Sequence, residues 1–231
     1  MEYTKKEIMP GFWAIDQQGV RSYLLVGNNN SVLIDTCFGG DILSICKSIT
    51  NSHITLLTTH SDPDHIGCDH QFDDQYMHAA EFPHYESRSD APSNAKPINE
   101  GDVFTAGDFS LEAIHIPGHT PGSTAFLDRK HKFLISGDTV QNGCIFMFGE
   151  GRNLQEFLSS VKKLEQMRTE GLFDTVYASH GDIGISADII SDHIRLAEAL
   201  LAGENVPNSP PPEWLPQNLK TYSMGRAKMF F

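Results

Sequence analysis

Two histidines and two aspartates fall within six residues, His60-Ser61-Asp62-Pro63-Asp64-His65. Carboxylates at this density repel one another when buried unless a cation neutralises them. Four metal-ligand types so close together therefore point to metal chemistry, the acidifying of a water and the polarising of a carbonyl or phosphoryl group. The mostly apolar run Ile54 to Leu57 comes just before and reads as a buried strand, which Pro63 prevents from continuing. The ligand types thus sit where the backbone turns over. Pro63 also suits the first turn of a helix, so capping that helix is the competing role for Asp62.

Three more candidates lie downstream. His119 stands in Ile116-Pro117-Gly118-His119-Thr120-Pro121-Gly122-Ser123, Asp138 in Ile135-Ser136-Gly137-Asp138-Thr139, and His180 in Tyr177-Ala178-Ser179-His180-Gly181-Asp182. Each follows or ends an apolar run and sits beside a glycine, and loops at strand ends are where functional ligands concentrate. Taken singly, each is a turn residue bonding nearby backbone. Taken together with the dense cluster, they are spaced so that only a folded sheet gathers them.

This ordered set resembles the metallo-β-lactamase-fold superfamily of metallohydrolases. The family's first motif runs His-x-His-x-Asp-His, and here Asp62 replaces the second histidine. The Gly118 to Ser123 turn, Gly137-Asp138 and Ser179-His180-Gly181 match the following motifs in family order, over roughly residues 10 to 203. The resemblance implies an α/β fold, a four-layer αββα sandwich, over residues 1–203, with 204–231 a tail packed on the body or on a partner subunit. It implies that His60, Asp62 and His119 hold one divalent ion and that Asp64, His65 and His180 hold a second. Asp138 would bridge them, and Asp64 would be catalytic as well as a ligand. Two such ions, zinc first, would make a bridging hydroxide that attacks a small ester, thioester, lactone or phosphoester. Asp62 adds a carboxylate to the usual set, and more oxygen donors favour iron or manganese relative to zinc. The flavodiiron branch also has a carboxylate there, so one alternative is a di-iron protein reducing oxygen or nitric oxide with a separate electron donor. Another is a non-catalytic metal-binding sensor. The family's glutathione-thioester hydrolases carry a larger helical C-terminal domain, for which this chain has no room.

The elements that must position these residues follow from length and pattern. A chain of 231 residues suggests one domain, perhaps with a small appendage, able to bury a core without covalent staples. The net charge of −13 argues against nucleic-acid binding. No run is long and apolar enough to span a membrane, and Met1 to Glu7 holds no apolar signal-peptide segment, so a cytoplasmic location is expected. Cys37, Cys46, Cys68 and Cys144 show no metal or redox spacing. Cys68 is expected to pack behind the site and Cys46 in the core, while Cys144 could face the pocket.

In chain order, Gly11 to Asp16 and Val20 to Gly27 read as antiparallel strands, and Ser31 to Asp35 as a third. Asp35 suits either a local backbone contact or support beneath the metal site. Asp41 to Thr50 has helical spacing. His70, His78 and His84 match no ligand position, and residues 86–101 read as a surface excursion on the pocket rim. Strands are expected at Asp108 to Ile116, Ser123 to Leu127, Lys132 to Ile135 and Phe173 to Ala178; His115 and His131, on a strand and a turn, need no metal. Val140 to Arg152 either walls the pocket or fills core. Asn153 begins a helix that carries Leu154, Phe157, Leu158, Val161 and Leu164. Ser186 is expected to cap a last helix with Ile190, Ile194, Ala197 and Leu201 on one face, ended by Gly203. The tail has a proline-rich, linker-like start and an apolar end, which makes a homodimer plausible.

Overall fold

A computed structural model describes residues 2–88 and 94–231. The first sheet runs β1 (Thr4–Met9), β2 (Phe12–Gln17), β3 (Val20–Leu25), β4 (Asn30–Ile34), β5 (His53–Thr58), β6 (Gln75–His78) and β7 (Lys96–Ile98), in that spatial order. It is antiparallel up to β4 and parallel beyond. The second sheet begins with β8 (Val103–Ala106), β9 (Phe109–His115), β10 (Thr124–Asp128) and β11 (Phe133–Gly137). The chain then leaves through β12 (Cys144–Phe146) and returns as β13 (Thr175–Ala178) and β14 (Ile185–Ser186), giving the order β14-β13-β11-β10-β9-β8. The helices are α1 (Ile42–Lys47), α2 (Pro63–Ile66), α3 (Phe82–Arg88), α4 (Leu154–Thr169) and α5 (Ile190–Leu201).

Alternation along the strands builds the layers. Phe12, Tyr23, Val32 and Leu57 point to one side of the first sheet and meet Leu111, Phe126, Ile135 and Tyr177 of the second. Their strand neighbours Ile15, Leu24, Leu33 and Leu56 point the other way, onto Ile42 and Cys46 of α1. On the far face of the second sheet, Ile114, Leu127, Leu134 and Val176 pack under α4 and α5. Side chains of period two, buried on both faces, make a helix-sheet-sheet-helix sandwich. Phe12 stacks on Phe133 at 5.0 Å and meets Tyr177 edge-on at 4.9 Å. The Tyr23 hydroxyl and Arg21 both donate to the carbonyl of Ala178, clamping the end of β13 to the first sheet two residues before His180.

Several sequence expectations shift. The strand Thr4–Met9 shows no alternation because it is an exposed edge. Ser186 makes no side-chain cap; the chain turns through Ala187–Ile189 before α5 begins. Leu201 is exposed, and the inward face of α5 carries His193 and Leu196 instead. The excursion over 86–101 includes residues 89–93, which lie outside the described residues. Asn153 does cap α4, accepting from the backbone of Gln155 and Glu156.

The tail forms β15 (Asn208–Ser209), β16 (Thr221–Met224) and β17 (Ala227–Phe230). Strand β17 pairs in parallel with β12, opposing Ile145 to Met229 and Phe146 to Phe230. Residues at the end of the chain are thereby set against the loop that follows Asp138. No helix among the described residues is long and apolar enough to cross a membrane.

Candidate metal centre

Six of the seven sequence candidates form two groups at the ends of β5, β11 and β13 and on the turn before β10, His60 with His119 and Asp138, and Asp64 with His65 and His180; Asp62 stands beside the first. His60 and His119 face each other, Nε2 to Nε2, at 3.2 Å. Asp62 Oδ2 stands 3.5 Å from the first and 3.3 Å from the second. Asp64 Oδ2 is 3.2 Å from His180 Nε2. Asp138 lies between the groups, with Oδ1 at 3.5 Å from His65 and Oδ2 at 3.4 Å from His180 and 3.8 Å from His119. Donor atoms around one tetrahedral ion, at bond lengths of about 2.0–2.1 Å, lie about 3.3 Å apart. The His60, His119 and Asp62 spacings and the Asp64–His180 spacing fit that edge, and Asp64 to His65, at 3.8 Å, is wider.

The hydrogen bonds explain why Nε2 is the exposed nitrogen. His180 Nδ1 lies 2.7 Å from the carbonyl of Gly19, which only accepts, so Nδ1 carries the proton. His65 Nδ1 donates to Asp35 Oδ2 at 2.8 Å. The Thr59 hydroxyl donates to the same carboxylate, leaving its lone pair for His60 Nδ1 at 3.0 Å. Asp35 is fully buried and also accepts from the Thr59 backbone. It holds a left-handed backbone conformation, φ 60°, which Asp tolerates better than most residues. Three imidazoles thus turn bare nitrogens toward three carboxylates. Three carboxylates and three bare imidazole nitrogens leave the cluster richer in acceptors than in donors, which calls for cations, and His65 Nε2 and Asp138 Oδ1 are buried with no hydrogen-bond partner among the described residues. The same excess of acceptors attracts protons. Burial opposes charge on His65, but Asp64, Asp138 and Asp35 outweigh it and push the imidazole up to about 10. His180 is likewise pushed up to about 11 against burial, chiefly by Asp138.

Asp35→Asn tests this support. The carboxylate accepts at both oxygens, from Thr59 N at Oδ1 and from Thr59 Oγ and His65 Nδ1 at Oδ2, so an amide must turn its NH2 against one of these donors and the support of His65 weakens. Metal affinity is expected to fall about 10- to 100-fold, read by competition with a chromophoric chelator. Unchanged affinity would mean that His65 needs no such partner.

Three contributors escaped the sequence reading. Glu81 is fully buried and accepts from Ser61 N at 2.8 Å, Ser61 Oγ at 2.6 Å and Gly122 N at 2.7 Å. It ties the first ligand loop to the turn that carries His119. Thr59, as above, relays Asp35 to His60. Arg152 donates to Asp62 Oδ2 at 2.5 Å. Asp62 occupies the cap position of α2, but its side chain makes no cap bond there; its carboxylate turns to Arg152 and the two histidines. Gly118 is where a side chain is impossible: a Cβ would stand 2.2 Å from the Phe157 backbone nitrogen. Cys68 is buried behind the site against Tyr3 and Gly40, and Cys46 is in the core. All four cysteines are free thiols.

A cleft of about 510 Å³ opens onto Asp62, Asp64, Asp138 and His180. Its walls are aromatic: Phe38, Phe146 and Trp214. Trp214 is 70 % exposed and stacks on Phe146 at 5.9 Å. No serine or cysteine lines the cleft among the described residues. Two smaller hollows, of about 260 and 180 Å³, hold no member of the cluster.

Comparison with known proteins agrees with this geometry. The sequence model of the metallo-beta-lactamase superfamily matches residues 15–180. The acyl-coenzyme A thioesterase MBLAC2 of Gallus gallus is 36 % identical over 83 residues, covering 36 % of this chain and 30 % of that protein. Its Bos taurus counterpart is 23 % identical over 227 residues, covering 77 % of this chain and 81 % of the relative. A solved metallo-beta-lactamase from Pontibacter korlensis superposes with a TM-score of 0.72 at 17 % identity, over 85 % of this chain and 99 % of that one.

Proposed function

Since this chain belongs to the metallo-β-lactamase superfamily, we propose that it is a metal-dependent hydrolase of small esters or thioesters whose acyl or aryl group is apolar. The observation that carries this reading is one arrangement: an acceptor-rich histidine and carboxylate cluster forms the floor of a cleft walled by Phe38, Phe146 and Trp214. His60, Asp62 and His119 would hold one divalent ion, Asp64, His65 and His180 a second, and Asp138 reaches toward both. Bound there, such ions supply an acidified water near neutral pH and draw electron density from a carbonyl.

The chain's own groups do the rest. With no serine or cysteine on the described walls, water is the nucleophile. Asp64 belongs both to the cluster and to the cleft surface, so its carboxylate can take a proton from that water and pass it to the leaving group. Phe38, Phe146 and Trp214 exclude solvent on one side and favour an apolar acyl or aryl group over a charged one. A relative named as an acyl-coenzyme A thioesterase supports thioesters ahead of phosphoesters.

The test is turnover of zinc-loaded protein on acyl thioesters of rising chain length, aryl esters and a phosphodiester. Expected are thioester and aryl-ester hydrolysis rising with apolar size; full metal content with no turnover of any ester would overturn the reading. Trp214→Ala, at an exposed position outside the core, is expected to raise KM about ten-fold for long or aromatic acyl groups. Acetyl substrates should be unaffected. An equal effect on both would remove Trp214 from the specificity wall.

A further inference from the structure

We propose that Arg152 competes with metal for Asp62, making the position formed by His60, Asp62 and His119 the weaker of the two, filled only after the Asp64, His65, His180 position. This rests on the metal-centre reading above. The geometry points to it through a single atom. Asp62 Oδ2 is the oxygen that faces both His60 and His119 Nε2, and it is also the oxygen that Arg152 Nη2 holds. A carboxylate oxygen engaged by a guanidinium gives less to a metal, and the guanidinium charge repels a divalent ion beside it.

Arg152 is built into the site. Its side chain is 8 % exposed, and its Nε and Nη1 are buried with no hydrogen-bond partner among the described residues. Leaving Asp62 for another position inside the fold would strip it further. Its backbone is pinned as well: the next residue, Asn153, donates to the carbonyl of Gly118 at 2.8 Å and caps α4. Gly118 in turn packs directly on Phe157 of that helix. Arg152 and His119 therefore arrive from two segments locked to one another. At the second position the described contacts are different. Asp64 and Asp138 approach His180 and His65, and Asp35 braces His65 from behind.

The pairing also answers the charge question that the sequence raises. Replacing the family's second histidine by Asp62 adds one negative charge, which by itself favours iron or manganese. Among the described residues, Arg152 returns one positive charge to the same spot and so offsets the charge that Asp62 adds.

The experiment is zinc titration of chelator-stripped, dialysed protein against a competing chromophoric chelator. The wild type is expected to bind two zincs with affinities at least about 30-fold apart. His119→Ala should erase the weaker event and leave the tighter one. Arg152→Met should tighten the weaker event at least about ten-fold, and Arg152→Lys, which keeps the charge, should not. Two equal affinities in the wild type, or loss of the tighter event in His119→Ala, would overturn the proposal. So would an unchanged weaker event in a folded Arg152→Met protein. If that variant fails to fold, by near-ultraviolet circular dichroism, the wild type and His119→Ala still decide. No zinc bound at either position would overturn the metal-centre reading itself, a different result from two equal sites.

Discussion

Asp138→Ala is expected to lower turnover by about 10³-fold or more and to reduce bound metal in the same preparation. Among the described residues, Asp138 is the one carboxylate within 4 Å of imidazoles from both groups: His119 on one side, His65 and His180 on the other. It is 5 % exposed, so no water readily takes its place. Charge stabilisation of this kind is worth several kcal/mol, and about 4 kcal/mol corresponds to about 10³ in rate. The fold should tolerate the change, because Asp138 points into the cluster while the turn is held by Ser136, whose hydroxyl donates to Val140 O at 2.7 Å. Elemental analysis beside steady-state turnover checks the claim. Wild-type turnover with full metal in the variant would remove Asp138 from the site.

Why the first candidate residues were legible in the sequence, and Arg152 was not, is a matter of range. His60, Asp62, Asp64 and His65 announce themselves because an unneutralised cluster of that density is costly in a fold, and because Pro63 marks the turn that presents it. His119, Asp138 and His180 share a local sign, a polar residue beside glycine at the end of an apolar run, and the family resemblance orders them. Arg152 carries no such sign. It is one of several polar residues in a loop, and its role exists only because Asn153 and Gly118 join two segments distant in sequence. Glu81 was hidden in the same way: its three donors, Ser61 N, Ser61 Oγ and Gly122 N, come from loops 20 and 41 residues away. Asp62 shows the limit in reverse. Sequence spacing offered a ligand or a helix cap; the side chain makes no cap bond and instead meets Arg152, 90 positions downstream.

The fold was more legible than its edges. Strands buried on both faces, such as Phe133–Gly137, read clearly because apolar side chains must fill two layers at once. The edge strand Thr4–Met9 has no such pressure and gave no pattern. In the last helix, Ile190 and Ala197 were correctly placed inward, but Leu201 emerges at the helix end and His193 is buried in its stead. A histidine is a poor sequence marker for a core position, since its burial depends on a tertiary partner. That partner here is the backbone N–H of Gln141, which His193 Nε2 accepts at 3.3 Å.

His193 therefore gives the second large expected effect, on stability. Burial opposes charge on its ring and pushes the imidazole down to about 4, although neighbouring Asp192 pulls the other way. An unfolded chain binds this proton near pH 6.5. Between about pH 4 and 6.5 the unfolded state holds more protons than the folded one, so stability falls as pH falls through that window. The contribution is complete above pH 6.5 and lost by pH 4. Two and a half pH units, at about 1.4 kcal/mol each, come to about 3 kcal/mol, or roughly 6–12 °C in Tm for a chain of this length. The comparison is thermal unfolding from pH 4 to 7.5, with chelator present throughout, for the wild type and His193→Gln. Glutamine offers Gln141 an acceptor and does not titrate, so its curve should be flatter by that amount. Parallel curves would show that His193 takes up its proton without cost. The consequence reaches the site, because Gln141 lies three residues after Asp138. Acid that charges His193 loosens the loop that presents this carboxylate, so α5 and the metal cluster should weaken together as the pH drops.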